Sequence, residues 1–307
     1  MRIEKILSTL VLLAAIFLFA RYTVNRLQEN DTVGPNIQMD ETQIEISVKD
    51  PTVKLLKGMT ASDARDGDVT DTLVVESISN FISENTRTVT YAAFDNSNNV
   101  SKTMRNLVYT DYEPAKFSLT RAMNFPVSTS QQNILNTIHA TDSIDGDVTD
   151  WVNFSYTSII NVDTAGDYKV IAEVTNSAGD TFTMPLTITI YESSVYNAAP
   201  KIRLKSYLVY TKVGEAIDPM DYLTGMVYRN TEYPITEGEG TFRVDTSDMD
   251  RDELAEFRER EPAVNAELFD ILDMVNYNYP GVYEIQFTLS DGDGNRGRTI
   301  LTVVVEE

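Results

Sequence analysis

The sequence predicts an all-β fold, in which sandwich domains follow one another behind a single N-terminal helix. Three observations predict it: the length of 307 residues, two near-identical segments, and strand–turn–strand patterns that recur after them. Three sandwiches of ~100 residues fit this length. Hydrophobic residues make up 42% of the chain and charged residues 23%, so the domains have enough apolar material to bury cores.

The repeated segments define the domain organisation. Residues 60–71 read TASDARDGDVTD and residues 139–150 read HATDSIDGDVTD, about 80 residues apart, which is close to one sandwich domain. Each segment precedes a predicted hairpin, and a third hairpin ends the chain. Proline stands before the first predicted strand of each unit, at positions 35, 114 and 200. We therefore predict domains at 35–111, 112–196 and 197–307, after an N-terminal segment at 1–34.

The second unit carries a family resemblance. Its TDSIDGDVTD, followed by TAGDYKVIAEVTNSAGDTFT, resembles the tandem Ig-like domains of bacterial surface proteins, whose pattern is a DGDxT turn and then G-x-Y-x-V-x-Y-x-x-x-D-x-x-G-N. The first unit has Glu84–Arg87 in place of the G-x-Y start, and the third keeps VGEAIDPMDYL and YPGVYEIQFTLSDGDGN. The resemblance covers about residues 35–307. It implies Ig-like β-sandwiches on a Gram-positive cell surface, in a family that serves as stalk, spacer, adhesin and binding module alike.

The N-terminal segment contains an uncharged run, Ile6–Ala20, which is followed by Arg21. We predict a cytoplasmic stub, a single transmembrane signal anchor and a linker, with all that follows outside the cell. The run is shorter than the ~20 residues of a typical span, but Arg21 can snorkel and Tyr22 can lie at the interface. A cleaved signal peptide is the alternative, although Leu18 and Ala20 do not form a small-x-small cleavage site. The anchor residues include Ile6, Leu13, Phe17 and Ala20.

Two acidic loops are candidate metal sites. Calcium takes six to eight oxygen ligands from flexible loops, and it is the one cofactor that the sequence suggests. The alternative is that Asp-Gly forms a turn and the Asp side chains cap nearby amides, since neither loop has EF-hand spacing. The candidate ligands are Asp63, Asp66, Asp68 and Asp71 in the first loop and Asp142, Asp145, Asp147 and Asp150 in the second.

Two further features are candidate binding surfaces. Trp151, the only tryptophan, is either a sugar-stacking platform or a residue half-buried at a loop base. The third domain has a predicted helical insertion at about 247–275, with Ser247 as N-cap, which either covers its own sandwich or recognises a partner. Its apolar residues at helical spacing include Leu268, Ile271, Leu272 and Val275, and Leu268, Phe269 and Leu272 are the candidate contacts.

The composition excludes several functions. A formal net charge of −22 opposes nucleic-acid binding, the absence of cysteine excludes disulfides and thiolate chemistry, and the single histidine excludes a histidine metal cluster. We predict a non-enzymatic, membrane-anchored structural or interaction protein, stalk-like or adhesin-like, that presents a binding surface to a protein or glycan outside the cell. The alternatives are a glycan-binding or wall-binding module and an accessory subunit of a surface assembly.

Overall fold

Strands dominate the chain, as the sequence predicts. The computed structural model describes residues 2–29, 31–228, 231–238, 241–244, 247–260, 264–291 and 294–307. These residues fold into two compact units, Met1–Tyr112 and Glu113–Glu307. The predicted domain boundaries stay predictions, because the second unit contains two sandwiches.

The first unit begins with a long helix, α1 (Arg2–Glu29), and continues with one sandwich. Its strands are β1 (Asn36–Met39), β2 (Gln43–Ile46), β3 (Met59–Asp63), β4 (Gly67–Asp68), β5 (Val74–Ile78), β6 (Thr86–Phe94) and β7 (Val100–Tyr109). They form two sheets, ordered β1-β3-β4 and β2-β7-β6-β5. Among the residues that the structure describes, no helix is both long and apolar enough to cross a membrane.

The second unit contains the other two sandwiches. The earlier one has β8 (Lys116–Leu119), β9 (Asn124–Pro126), β10 (Ile138–Asp142), β11 (Gly146–Asp147), β12 (Asn153–Phe154), β13 (Gly166–Thr175) and β14 (Thr181–Tyr191), with a short helix α2 (Gln131–Leu135). A helix α3 (Ser193–Ala198) leads to the later one. That sandwich has β15 (Lys201–Leu204), β16 (Leu208–Lys212), β17 (Leu223–Tyr228), β18 (Thr231–Gly238), β19 (Thr241–Val244), a helix α4 (Arg251–Arg260), β20 (Val264–Asp273), β21 (Gly281–Asp291) and β22 (Arg296–Glu306).

All three sandwiches repeat one strand plan. The opening strand pairs antiparallel with the next long strand in one sheet: β1 with β3, β8 with β10 and β15 with β17. The chain then crosses to the other sheet, where β2, β9 and β16 pair in parallel with the closing strands β7, β14 and β22. The closing strand thus ties the start of each repeat to its end.

The predicted hairpins are confirmed as β6–β7, β13–β14 and β21–β22. Their inward residues are fully buried, as alternation along a strand requires: Val89, Tyr91 and Ala93 in the first repeat, and Val170, Ala172 and Val174 in the second. In the third hairpin the carboxylate of Asp291 accepts both the backbone N–H (2.7 Å) and the side-chain amide (2.8 Å) of Asn295. Asp95 and Asn99 form the same pair of bonds in the first repeat.

The G-x-Y pattern of the resemblance has a physical role in the last two repeats. The hydroxyl of Tyr168 donates to the carbonyl of Thr164 (2.9 Å), and that of Tyr283 donates to the carbonyl of Tyr279 (3.1 Å). Each tyrosine therefore ties the start of its hairpin strand back to the preceding loop. The first repeat has Glu84–Arg87 at this place and lacks the motif.

The predicted helical insertion is only partly correct. The helix α4 forms, but residues 264–273 are a strand, β20, that pairs antiparallel with β21. Apolar spacing predicted a helix there, whereas the free backbone edge of β21 imposed strand pairing. The N-cap is Asp250 and not Ser247, since Asp250 Oδ1 accepts the N–H groups of Asp252 (2.9 Å) and Glu253 (2.8 Å). Glu253 in return accepts the N–H of Asp250, which completes a capping box.

Candidate functional site

Both DGD loops are tight connections between two paired strands, β3–β4 and β10–β11. Gly67 and Gly146 hold the left-handed backbone conformation that these turns require, with φ of 76° and 74°. Asp63 Oδ1 accepts the N–H groups of Arg65 (2.7 Å) and Asp66 (3.0 Å). Asp142 Oδ1 accepts those of Ile144 (2.8 Å) and Asp145 (3.0 Å), so the two loops share one set of bonds.

A second aspartate in each loop fastens a distant hairpin. Asp66 Oδ2 accepts the N–H of Asn96 at 2.9 Å, and Asp145 Oδ2 accepts that of Ser177 at 2.7 Å. Asp66 lies in the β3–β4 loop and Asp145 in the β10–β11 loop, and each donor lies in the turn of the hairpin that follows. The repeated carboxylates therefore hold the two sheets of a sandwich together at one end.

The remaining loop aspartates divide into two groups. Asp68 and Asp147 each accept an N–H, from Thr70 and Thr149, at 3.0 Å. Asp71 and Asp150 are exposed in short 3-10 helices.

Hydrogen bonds lower the pKa of three loop aspartates. Bonds from the backbone amides of Arg65 and Asp66 lower the pKa of Asp63. Bonds from Thr70 and Thr149 lower the pKa of Asp68 and Asp147. These contacts are the ones expected if the Asp-Gly segments form turns and the Asp side chains cap nearby amides.

Among the described residues, one cluster of three carboxylates is close enough to hold a metal ion. Oxygen atoms of Asp31, Asp63 and Asp66 lie within 4.8 Å of one another. Asp31 precedes the first strand, and nothing in its sequence context singled it out. In the second repeat the side-chain amide of Asn176 donates to Asp142 Oδ2 at 3.1 Å. The first repeat has Asp95 at the position of Asn176. The second loop thus satisfies its buried carboxylate with a neutral donor, which favours the capping alternative there, and calcium binding at the two loops is untested.

The candidate binding residues of the sequence lie in two different sandwiches. Trp151 ends a 3-10 helix beside the second loop and is 45% exposed. Leu272 lies in β20 and is 51% exposed. Leu268 and Phe269 lie in the same strand, but their side chains are outside the part of the chain that the structure describes.

A further set of polar contacts lies where the second and third sandwiches meet. Tyr210 of β16 reaches the backbone of Phe117 in β8, an edge strand whose outward N–H and C=O have no strand partner. The Phe117 N–H donates to the tyrosine oxygen at 2.8 Å, and the hydroxyl donates to the Phe117 carbonyl at 3.2 Å. Burial raises the pKa of Tyr210 to about 12.

Arg298 of β22 makes a second connection. Its guanidinium pairs with Asp167 and donates to Thr189 Oγ1 at 2.6 Å, both in the second sandwich, while its carbonyl accepts the Asn124 amide. Burial lowers the pKa of Arg298, but the hydrogen bond and charge of Asp167 outweigh it, so the pKa is raised. A third connection joins the hydroxyl of Thr187 to the carboxylate of Glu284.

These contacts accompany a shared core. Buried residues of both sandwiches, among them Ile188 and Val170 of one and Ile285 and Val303 of the other, belong to one continuous hydrophobic cluster. A half-open cavity of about 300 Å³ lies beside α3, between the loop before β9, the strand β15 and the strand β22. Sequence analysis missed this cavity because its walls come from three segments that are up to about 175 residues apart in the chain.

The comparisons with known proteins give distant likenesses only. No protein-family model matches the sequence, and no curated protein matches it either. Among solved structures, the catalytic domain with CBM51 domains of Clostridium perfringens ZmpB is 10% identical, with 89% of this chain and 43% of that chain covered, at a TM-score of 0.24. A lipoprotein of Bacteroides thetaiotaomicron is 14% identical over 61% of this chain and 98% of that one, at 0.21. Drosophila N-cadherin is 10% identical over 86% and 73%, at 0.23.

This chain spans less than half the length of the first of these structures. At TM-scores below 0.5, none of the three carries an argument about this chain.

Proposed function

We propose that this chain is a non-enzymatic surface protein, built of Ig-like domains, that holds its C-terminal pair of sandwiches outside the membrane as a platform for binding. The observation that carries the proposal is the joining of the two sandwiches in Glu113–Glu307 into one compact unit with a continuous core. A flexible string of independent domains would not need buried tyrosine and arginine contacts between neighbours. A platform that presents a surface does need them, because a rigid scaffold loses less entropy when it binds.

The acidic loops support a structural role over a catalytic one. Three aspartates of each DGD loop accept backbone N–H groups, and the bonds of the first repeat recur in the second. A carboxylate committed to backbone amides is stabilised in its ionised form, whereas a general acid needs a raised pKa. The repeated loops therefore act as fasteners that allow sandwiches to be added in series.

The helix α1 supports attachment to a membrane. Its described apolar side chains between residues 10 and 19 include six that are more than half exposed, and no other described residue covers them; these six are Leu10, Leu12, Leu13, Ile16, Phe17 and Phe19. A helix that is apolar all round belongs in a lipid or protein interior. The uncharged run ends at Arg21, and we propose that lipid covers it while Arg21 snorkels to the headgroups.

Fractionation of a Gram-positive host that expresses the full chain tests the proposal. We expect the chain in the membrane fraction, with its sandwiches digested when protease is added to intact cells. A double variant, Leu13→Arg with Phe17→Arg, keeps the length of α1 and should leave the membrane. The proposal is overturned if both chains are soluble, or if the sandwiches resist protease until the cells are lysed. Sequencing of the mature N-terminus separates an anchor from a signal peptide cleaved after Ala20.

A further inference from the structure

We propose that the cavity beside α3 binds an acidic sugar, that is, a hexose-sized ring that carries a carboxylate or a phosphate. This inference deepens the proposed function, since it names the ligand class that the C-terminal platform would take. Three features of the cavity carry it: its charge, its aromatic walls and its size.

The charge of the cavity is opposite to that of the chain. Four cationic residues line it, Arg121, Lys201, Arg203 and Arg298, and none of its lining residues is a carboxylate. The chain as a whole has 47 acidic and 25 basic residues. A cationic cavity in so acidic a protein concentrates anions locally and leaves the rest of the surface repulsive to them.

Two of these cations have no carboxylate partner among the described residues. Arg121 donates to the Tyr196 hydroxyl at 2.9 Å and to the Asn124 carbonyl at 3.2 Å, and Lys201 Nζ lies 4.7 Å from the centre of the Tyr196 ring. Arg203 makes only an exposed 4.0 Å contact with Glu232, and Arg298 is neutralised by Asp167. Arg121 and Lys201, which both contact Tyr196, are therefore the groups that an anion would meet.

The aromatic walls favour a ring over a bare anion. The rings of Tyr191 and Tyr196 lie 6.4 Å apart at 48°, and Tyr207, which is buried, also lines the cavity. Tyrosine offers an apolar face to the carbon–hydrogen face of a sugar and a hydroxyl to its polar edge. Inorganic phosphate or acetate would gain nothing from these rings.

The size and rigidity of the cavity fit one or two sugar rings. A volume of about 300 Å³ is at the lower end of small-molecule sites, so a folded protein partner cannot enter it. One wall is fixed by the contact of Gly297 with the Pro200 carbonyl, which leaves no room for any side chain at residue 297. A preformed wall lowers the entropic cost of binding.

Calorimetric titration of the full chain in mild detergent tests the inference with four probes: glucuronate, glucose 6-phosphate, glucose and acetate. We expect glucuronate or glucose 6-phosphate to bind at least tenfold more tightly than glucose and acetate, and the tighter of the two identifies the anionic group. Equal binding of glucose would overturn the acidic part of the inference, and equal binding of acetate would overturn the sugar part. Binding of none of the four would overturn it entirely.

Matched variants connect binding to the cavity. Lys201→Met removes the charge but keeps most of the length of the unbranched side chain, and it should weaken binding at least tenfold, as should Arg121→Gln. The control is Lys116→Met, since Lys116 lies 5.3 Å from the Tyr210 ring in the same kind of contact but outside the cavity. Equal loss in both lysine variants contradicts the site. The fractionation experiment does not depend on these titrations, so failure of the sugar inference leaves the proposed function standing, and the reverse also holds.

Discussion

Tyr210 and Phe117, which are 93 residues apart, exchange two hydrogen bonds through one hydroxyl, at 2.8 and 3.2 Å. The tyrosine belongs to the third sandwich and the backbone that it contacts belongs to the edge of the second. One side chain thus closes an exposed strand edge and joins two domains.

Replacement of Tyr210 by Phe should destabilise the second unit. The variant keeps the ring but leaves the N–H and C=O of Phe117 without partners, at a cost of about 1–3 kcal/mol. Urea denaturation followed by circular dichroism measures it. The control is Tyr168→Phe, which removes a local bond to Thr164 and should cost less than about 1 kcal/mol. If the two variants are equally stable, the hydroxyl of Tyr210 does not join the sandwiches.

Alkaline pH should weaken the same contact. The pKa of Tyr210 is raised from 10.0 to about 12 by burial, so between these values the unfolded chain loses a proton that the folded chain keeps. The contribution of the neutral Tyr210 phenol to the unfolding free energy is therefore complete below pH 10 and is lost as the pH rises through 12. We expect the unfolding free energy of the wild type to fall more steeply over this range than that of Tyr210→Phe. Parallel curves would show that the phenol of Tyr210 titrates normally.

Removal of the Asp145 carboxylate should loosen one end of the second sandwich. Asp145→Ala deletes the acceptor of the Ser177 N–H, and we expect a loss of about 1–2 kcal/mol in thermal or urea unfolding. Asp150→Ala is the matched control, because Asp150 is exposed and lies in the same loop. An equal effect of the two substitutions would mean that loop charge matters and the hydrogen bond does not.

Addition of calcium to the same proteins tests the metal alternative for this loop. We expect millimolar calcium to leave the difference between wild type and Asp145→Ala unchanged, because Asp142 and Asp145 already accept N–H groups. A calcium-dependent rise in the Tm that disappears in Asp145→Ala would establish a metal site there.

Gly297→Ala should be severely destabilising. A Cβ at this position would lie 1.7 Å from the Pro200 carbonyl oxygen, and the obstacle is backbone that cannot rotate away. We expect a loss of more than about 3 kcal/mol in chemical denaturation, at the upper end for single substitutions. Gly146→Ala measures the ordinary cost of a left-handed glycine, about 1–2 kcal/mol, since its Cβ would meet nothing within 4 Å. Similar losses in both would show that the junction can open.

Deletion of α4 and deletion of β20 should have different results. The described side chains of the helix are mostly exposed, whereas β20 pairs with β21 along the edge of a four-stranded sheet. Replacement of residues 250–260 by a short glycine bridge should leave the third sandwich folded. The same replacement of 264–273 should expose the edge of β21 and cause aggregation. Light scattering and circular dichroism distinguish the two, and a folded, monomeric chain after the second deletion would contradict the role of β20.

Much of the fold could be predicted because its signals are local. Alternation placed Val89, Tyr91 and Ala93 on the core side of a strand, and Asn-rich and Gly-rich stretches marked the hairpin turns. The error at residues 264–273 also comes from relying on local signals. A short apolar run fits both the helical and the strand periodicity, and only the open edge of β21 selects the strand.

The candidate site could be predicted only in part. The DGD repeats identified the aspartates, but not their partners, because Asn96 and Ser177 are about 30 residues away in sequence. Asp31 has no signal of its own, and it reaches Asp63 and Asp66 only because the chain enters the sandwich beside their loop.

The sequence by itself determined the all-β class, the hairpins, the repeated acidic turns and the apolar helix, because each follows from residues close together in the chain. The tertiary structure alone decided that the last two sandwiches share one core, that Tyr210 meets Phe117, and that Arg121 and Lys201 lie around one tyrosine in a chain of opposite charge. These are contacts between segments far apart in sequence, and they depend on how finished domains pack, which no local pattern of residues records.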